Sequence, residues 1–160
     1  MRLKPRNSCS MNIPACRVCR KPAIRWKKRG IICISTICPG DSEICTSVQS
    51  LQDFIQGNFI WADMPAPLRE QQLHHLIDLT TQHYPRHRWY LFDAYAILPV
   101  PFAIFNRQRA AVYVSGKYLV YNRPRHIAFF EKEFDNLIRH TIIHPHETAD
   151  WLKDQLTHFR

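Results

Sequence analysis

From Ser47 onward the apolar residues fall into two periods. Val48, Leu51, Ile55 and Phe59 recur at helical spacing and predict a helix from Ser47 that ends near Gly57-Asn58 or shortly after. Residues 61–67 form a connector, because Pro65 and Pro67 break any helix running through them. A second helix starts beside Pro67, turns Leu73, Leu76, Ile77, Thr80 and Tyr84 inward, and stops at Pro85. The period then shortens. Strands are predicted over 88–95, 100–106, 110–115 and 118–121, with Pro99 and Pro101 marking a sheet edge or bulge. Arg107-Gln108-Arg109 forms one polar hairpin tip and Gly116-Lys117 a tight turn. Asn122-Arg123-Pro124 opens a third helix with the stripe Ile127, Phe130, Phe134, Leu137 and Ile138. A short extended link over 141–143 leads to Pro145 at the first position of a last helix. Glu147 favours the dipole there, and Leu152, Leu156 and Phe159 face inward. The expected fold is α+β or α/β: a small, mainly antiparallel sheet packed with helices, with the stretch from Val100 to Tyr121 at its centre.

Composition separates the N-terminal segment from this pattern. Residues 1–50 hold 10 Lys/Arg against 2 Asp/Glu, whereas residues 51–160 hold 12 against 11. All six cysteines (Cys9, Cys16, Cys19, Cys33, Cys38 and Cys45) precede residue 46, and all nine histidines follow it. The expected organisation is an irregular, basic, Cys-rich segment over 1–46, a helix and linker over 47–64, and an α/β sensing or dimerisation domain over 65–160. Residues 1–46 contain four prolines and no sustained period, with at most one strand over 31–37, so they need a metal, the main domain or a partner to become ordered. The polar start lacks the apolar run of a secretory leader, and 31–37 is too short to span a bilayer. A cytoplasmic location without membrane contact is therefore expected. A reducing compartment disfavours three disulfides.

Cys16-x2-Cys19 followed by Cys33-x4-Cys38 has the outline of a zinc ribbon, in which two thiolate pairs converge on one tetrahedral ion. Arg25, Lys27, Lys28 and Arg29 would lie on the loop between the pairs, where they could meet the phosphates of DNA. The competing reading is that the segment is a displaced reading frame with no selected structure; a coincident change in Cys, His and charge is what such a boundary would produce. No cofactor is expected beyond a structural zinc at Cys16, Cys19, Cys33 and Cys38.

Three further sets carry chemistry-bearing side chains. Arg107, Arg109, Lys117 and Arg123 are placed at the turns of the hairpins, beside Tyr113, Tyr118 and Tyr121. They form a candidate anion or ligand site, set against the simpler reading of a polar rim that keeps a sheet edge soluble. His140, His144 and His146 cluster near Glu147, and His74, His75, His83 and His87 near the second helix. They read as solvated helix-end residues rather than ligands. Asp93, embedded in an apolar strand, is the only mild candidate for acid–base work, and no paired nucleophile or base stands near it in sequence.

Leu98-Pro99-Val100-Pro101-Phe102, Arg109 to Val114, Lys117 to Val120, His126 to Phe130 and Phe134 to Arg139 together resemble the C-terminal, non-DNA-binding domain of helix-turn-helix bacterial regulators of the xenobiotic-response-element class. The layout is also similar to half of a phospholipase D-like fold, though the His-x-Lys motif of that family is missing, as is an upstream helix-turn-helix. The resemblance implies a non-enzymatic, transcriptional-regulator-like protein. It would act through a ligand- or partner-binding domain, as a homodimer or with another protein, and reach DNA only through residues 1–46. The aromatic residues flanking the Phe134 helix are the expected partner surface. A zinc-ribbon nucleic-acid-binding protein is the alternative, and a hydrolase using Asp93 or a histidine is a lesser one.

Overall fold

The computed structural model of the protein describes residues 41–157 and Phe159. The fold is mixed α+β, with four α-helices and two three-stranded sheets among those residues. The first strand, β1 (Ser42–Ser47), feeds directly into α1 (Val48–Gln56). Ser47 caps that helix, its Oγ accepting from the Ser50 N–H at 3.2 Å. Gly57, at φ 74°, ends it: the Asn58 N–H reaches the Asp53 carbonyl and the Gly57 N–H that of Phe54, which together make a Schellman cap.

That cap explains one departure from the sequence pattern. Phe59 lies beyond it in a single 3-10 turn (Phe59–Trp61) and is 83% exposed, so Phe54 takes the buried place beside Ile55. α2 (Ala66–His83) buries Arg69, Leu73, Ile77 and Thr80, which recur at helical spacing, while Tyr84 falls outside the helix and is exposed. β2 (His87–Phe92) turns His87, Trp89 and Leu91 to one face. β3 (Phe102–Phe105), β4 (Arg109–Val114) and β5 (Lys117–Tyr121) form an antiparallel meander, followed by α3 (Pro124–Arg139). β6 (Thr141–Ile143) and α4 (Pro145–Thr157) complete the described chain.

β1 runs parallel to β2, with Ser42 opposite His87 and Ser47 opposite Phe92, and β6 pairs antiparallel on β2's other side. The two sheets are β1-β2-β6 and β3-β4-β5, so the sheet structure is mainly antiparallel, as expected, but divided and with one parallel pair. The boundary read at residue 46 falls inside this structure. β1 belongs to the central sheet, and α1 is part of the main core rather than a linker helix.

The principal core centres on Trp89. Val48, Leu51, Phe54 and Ile55 of α1, Leu73 and Ile77 of α2, Trp89 and Leu91 of β2 and Leu152 of α4 form one buried cluster. Hydrogen bonds tie its elements together. Trp89 Nε1 donates to Thr46 Oγ1 at 3.0 Å, and Thr148 Oγ1 donates to the Trp89 carbonyl at 2.7 Å, fastening α4 to the sheet. Arg69 is also buried. It donates from Nε to the Ile55 carbonyl, at the C-terminal end of α1, at 3.3 Å and from Nη1 to the Met64 carbonyl in the connector before α2. The stretch from Val100 to Tyr121 is not the folding centre: its strands lie outside this cluster, and α3 bridges the two regions by touching β1 and β2 as well as β3 and β4.

Candidate functional site

The registers of the meander fix which side chains share a face. Phe102, Val112 and Leu119 align on one face, as do Ile104, Ala110 and Tyr121. α3 packs on this face at Phe102 and Tyr121, while Leu119 of β5 stays 49% exposed. Phe102 stacks against Phe130 at 5.3 Å between ring centroids and meets Phe134 at 6.5 Å, and Tyr121 meets Phe130 at 5.6 Å. The alternate residues Ala103, Phe105, Ala111, Tyr113, Tyr118 and Val120 make the outer face. That face is apolar too, yet exposed: Phe105 is 53%, Tyr118 54% and Val120 64% accessible. Tyr113 and Tyr118, paired in register, pack upon it with tilted rings 5.2 Å apart. Strands that are apolar on both faces are usual where a sheet is covered on both sides. Among the described residues, this one is covered on one side only.

The candidate ligand residues fall around this face without converging. Arg107 lies in the β3–β4 turn, its Nε 2.7 Å from Glu131 Oε1, so its charge already has a partner. Arg109 pairs with Phe105 and Arg123 immediately precedes α3, both at that same end of the meander. Lys117 pairs with Val114 beside the β4–β5 turn, at the opposite end. Because β5 runs the length of the sheet between them, the expected grouping of all four cations does not form. All four are exposed. Arg107, Asn122, Ile127 and Glu131 instead border an open depression of about 540 Å³ at the near end.

Elsewhere the titratable groups are engaged locally. Asp93 Oδ1 accepts from Gln49 Nε2 at 2.7 Å and from the Tyr95 N–H at 2.9 Å, so the carboxylate organises the turn that follows β2. Glu147 Oε2 accepts from the His144 N–H at 3.0 Å, as a capping box does at the start of α4. The rings of His144 and His146 stack at 6.1 Å, and His140 donates from Nδ1 to the Asn136 carbonyl at 2.8 Å. No group of three metal-ligating residues exists among the described residues.

The buried His87 differs from the other histidines. Its Nδ1 lies 2.7 Å from Ser42 Oγ, its Nε2 has no partner among the described residues, and it is only 3% exposed. Burial, with nearby His83 adding repulsion, lowers its pKa from the usual 6.5. Its alternation with Trp89 and Leu91 was the available signal, obscured by starting the strand one residue late. Cys45, in β1, has its thiol pushed up to about 12 by burial and by Glu43, which keeps it a protonated, unreactive group. Cys9, Cys16, Cys19, Cys33 and Cys38, together with Arg25, Lys27, Lys28 and Arg29, lie outside the described residues.

The aromatic residues flanking Phe134 divide between two roles. Phe130 is spent against the inner face of the meander, and Phe129 is exposed beside it. The larger uncovered apolar surface is the sheet's, not the helix's. Compared with known proteins, the chain matches no family model, no curated protein sequence and no solved structure. Among the described residues no helix is long and apolar enough to cross a membrane.

Proposed function

We propose that this chain works by binding rather than by catalysis, as a transcriptional-regulator-like protein whose α+β body associates through the outer face of the β3–β5 meander. The observation that carries this reading is that face itself: Phe105, Tyr118 and Val120 are each more than half exposed on a sheet whose other side is packed by α3 at Phe102 and Tyr121. Isolated exposed apolar residues are ordinary, but several on one face of the same sheet mark an interaction surface. The resemblance to the C-terminal domains of helix-turn-helix regulators supports a role of this kind. The basic residues of the first 50 positions supply the charge that contact with DNA needs.

The test is a titration of the full chain against a fluorescent DNA duplex, read by anisotropy at about 50 mM and about 200 mM salt. The reading expects binding at the lower salt that weakens steeply at the higher, because neutralised phosphates release their counterions. Failure to bind at the lower salt removes the regulator reading.

A further inference from the structure

We infer that the meander associates with a second copy of this chain, joined edge to edge through β5. The inference rests on the reading above that the meander is the surface of association, and it adds the partner and the mode of joining.

The turn between β4 and β5 sets the geometry. Ser115 at φ 49° and Gly116 at φ 83° form a two-residue connection with both residues left-handed, the type I′ pattern. In such a hairpin the residues flanking the loop exchange both hydrogen bonds, and alternate pairs beyond them do the same. Val114 with Lys117, Val112 with Leu119 and Ala110 with Tyr121 are therefore the bonded pairs. The N–H and C=O groups of Tyr118 and Val120 point away from β4 and have no strand beside them among the described residues.

The two edges of this sheet are unlike. β3 is preceded closely by Pro99 and Pro101, residues that discourage strand addition. β5 has no proline, no bulge and a single charge, Lys117, at its end, so it lacks the devices that keep an edge strand from pairing.

What favours a second copy is that β5 complements itself. Antiparallel pairing about Leu119 engages all five residues, placing Tyr118 against Val120 of the second copy and Lys117 against the second copy's Tyr121. The outward-pointing groups of Tyr118 and Val120 then meet each other, and no like charges stand opposite. The strand's one cation faces an aromatic ring. The result is an isologous, twofold arrangement in which two three-stranded sheets become one of six. The apolar outer faces of the two copies become continuous across the join. A nucleic-acid occupant would need cations across the face, whereas Ala103, Ala111, Tyr113, Tyr118 and Val120 carry none, Arg109 stands only at its end, and Lys117 lies on the opposite face.

Sedimentation equilibrium of the full chain over about 1–100 µM tests this. The expected result is a concentration-dependent monomer–dimer equilibrium. Val120→Pro removes an outward N–H without touching the β4–β5 ladder, and Val120→Lys places a charge at the join while leaving the backbone intact. Each is expected to weaken association by about tenfold or more while the far-UV circular dichroism is unchanged. If Val120→Pro proves unfolded, Val120→Lys decides alone. Leu98→Lys, at an exposed position outside the sheet, should leave the equilibrium as it was.

A monomer at every concentration overturns the inference, whether residues 1–40 or a different protein cover the edge. A dimer that survives Val120→Lys overturns it as well. The DNA titration is a separate readout. A β5-dependent dimer with no affinity for DNA keeps this inference and removes the regulator reading; a DNA-binding monomer does the reverse.

Discussion

The two sheets of this protein are made from similar residues and meet different fates. In the β1-β2-β6 sheet, Trp89 and Leu91 of β2 disappear beneath α1, α2 and α4, and even the polar atoms there, Thr46 Oγ1 and the Trp89 carbonyl, are hydrogen-bonded. In the β3-β4-β5 sheet, Phe102, Ile104 and Tyr121 lie beneath the single helix α3, while Phe105, Tyr118 and Val120 stand on the bare side. Apolar strands alone do not make a core. What matters is how many layers the rest of the chain can bring to them, and here α1, α2 and α4 build the first sheet's core while α3 is shared between the two sheets. The stability of the fold therefore resides around Trp89, and the surface available for association resides on the meander.

Substitutions can break that comparison. The largest effect is expected from Leu152→Ala, which empties a fully buried site in the Trp89 cluster and should cost about 2–5 kcal/mol in urea unfolding. Val120→Ala, measured in dilute solution, should cost less than about 1 kcal/mol, since its side chain contributes little to the monomer. Equal costs would mean that the two regions are not distinct. Next comes Gly57→Ala. It forces a left-handed φ on a residue with a side chain and brings Cβ to 2.7 Å from the Arg69 guanidinium, so a loss of about 2 kcal/mol or more is expected from the same measurement.

The pH dependence belongs to the first region as well. His87 is held neutral by burial and by its neighbour His83, so its folded pKa lies below the unfolded value of 6.5. The unfolded chain then binds the proton more readily. Stability is fully present above about pH 6.5 and declines as the pH falls below that value toward the lowered folded pKa. The melting temperature should fall between about pH 7.5 and about pH 5, and His87→Phe should flatten this dependence. The smallest effect is expected in the second region. Ser115→Asn, at a left-handed turn position that Asn tolerates better, should stabilise by about 0.5 kcal/mol, read as a modest rise in melting temperature.

The four helices were legible because their spacing, prolines and caps agree, as with Ser47 and Gly57 around α1 and Pro145 with Glu147 at α4. β1 was not. Of its residues only Ile44 and Cys45 are apolar, and its partner β2 lies some forty positions away, so nothing local marks it as a central-sheet strand. Arg69 was also missed, because an arginine in a helix reads as surface until the carbonyls of Ile55 and Met64 are seen to surround it. The candidate site was partly legible. Phe105, Tyr118 and Val120 sit in runs without hydrophobic alternation, a sign of strands apolar on both faces, but only the packing of α3 shows which face stays open. The grouping of Arg107, Arg109, Arg123 and Lys117 failed because successive turns of a meander fall at opposite ends.

The contrast between a sealed region and an open one is tested most directly by amide hydrogen exchange of the full chain at two protein concentrations. The amides of Trp89 and Leu91 should be equally protected at both, while those of Tyr118 and Val120 should be protected when the protein is concentrated and exchange freely on dilution. Tyr118 and Val120 amides that exchange at one and the same rate at both concentrations would contradict the account.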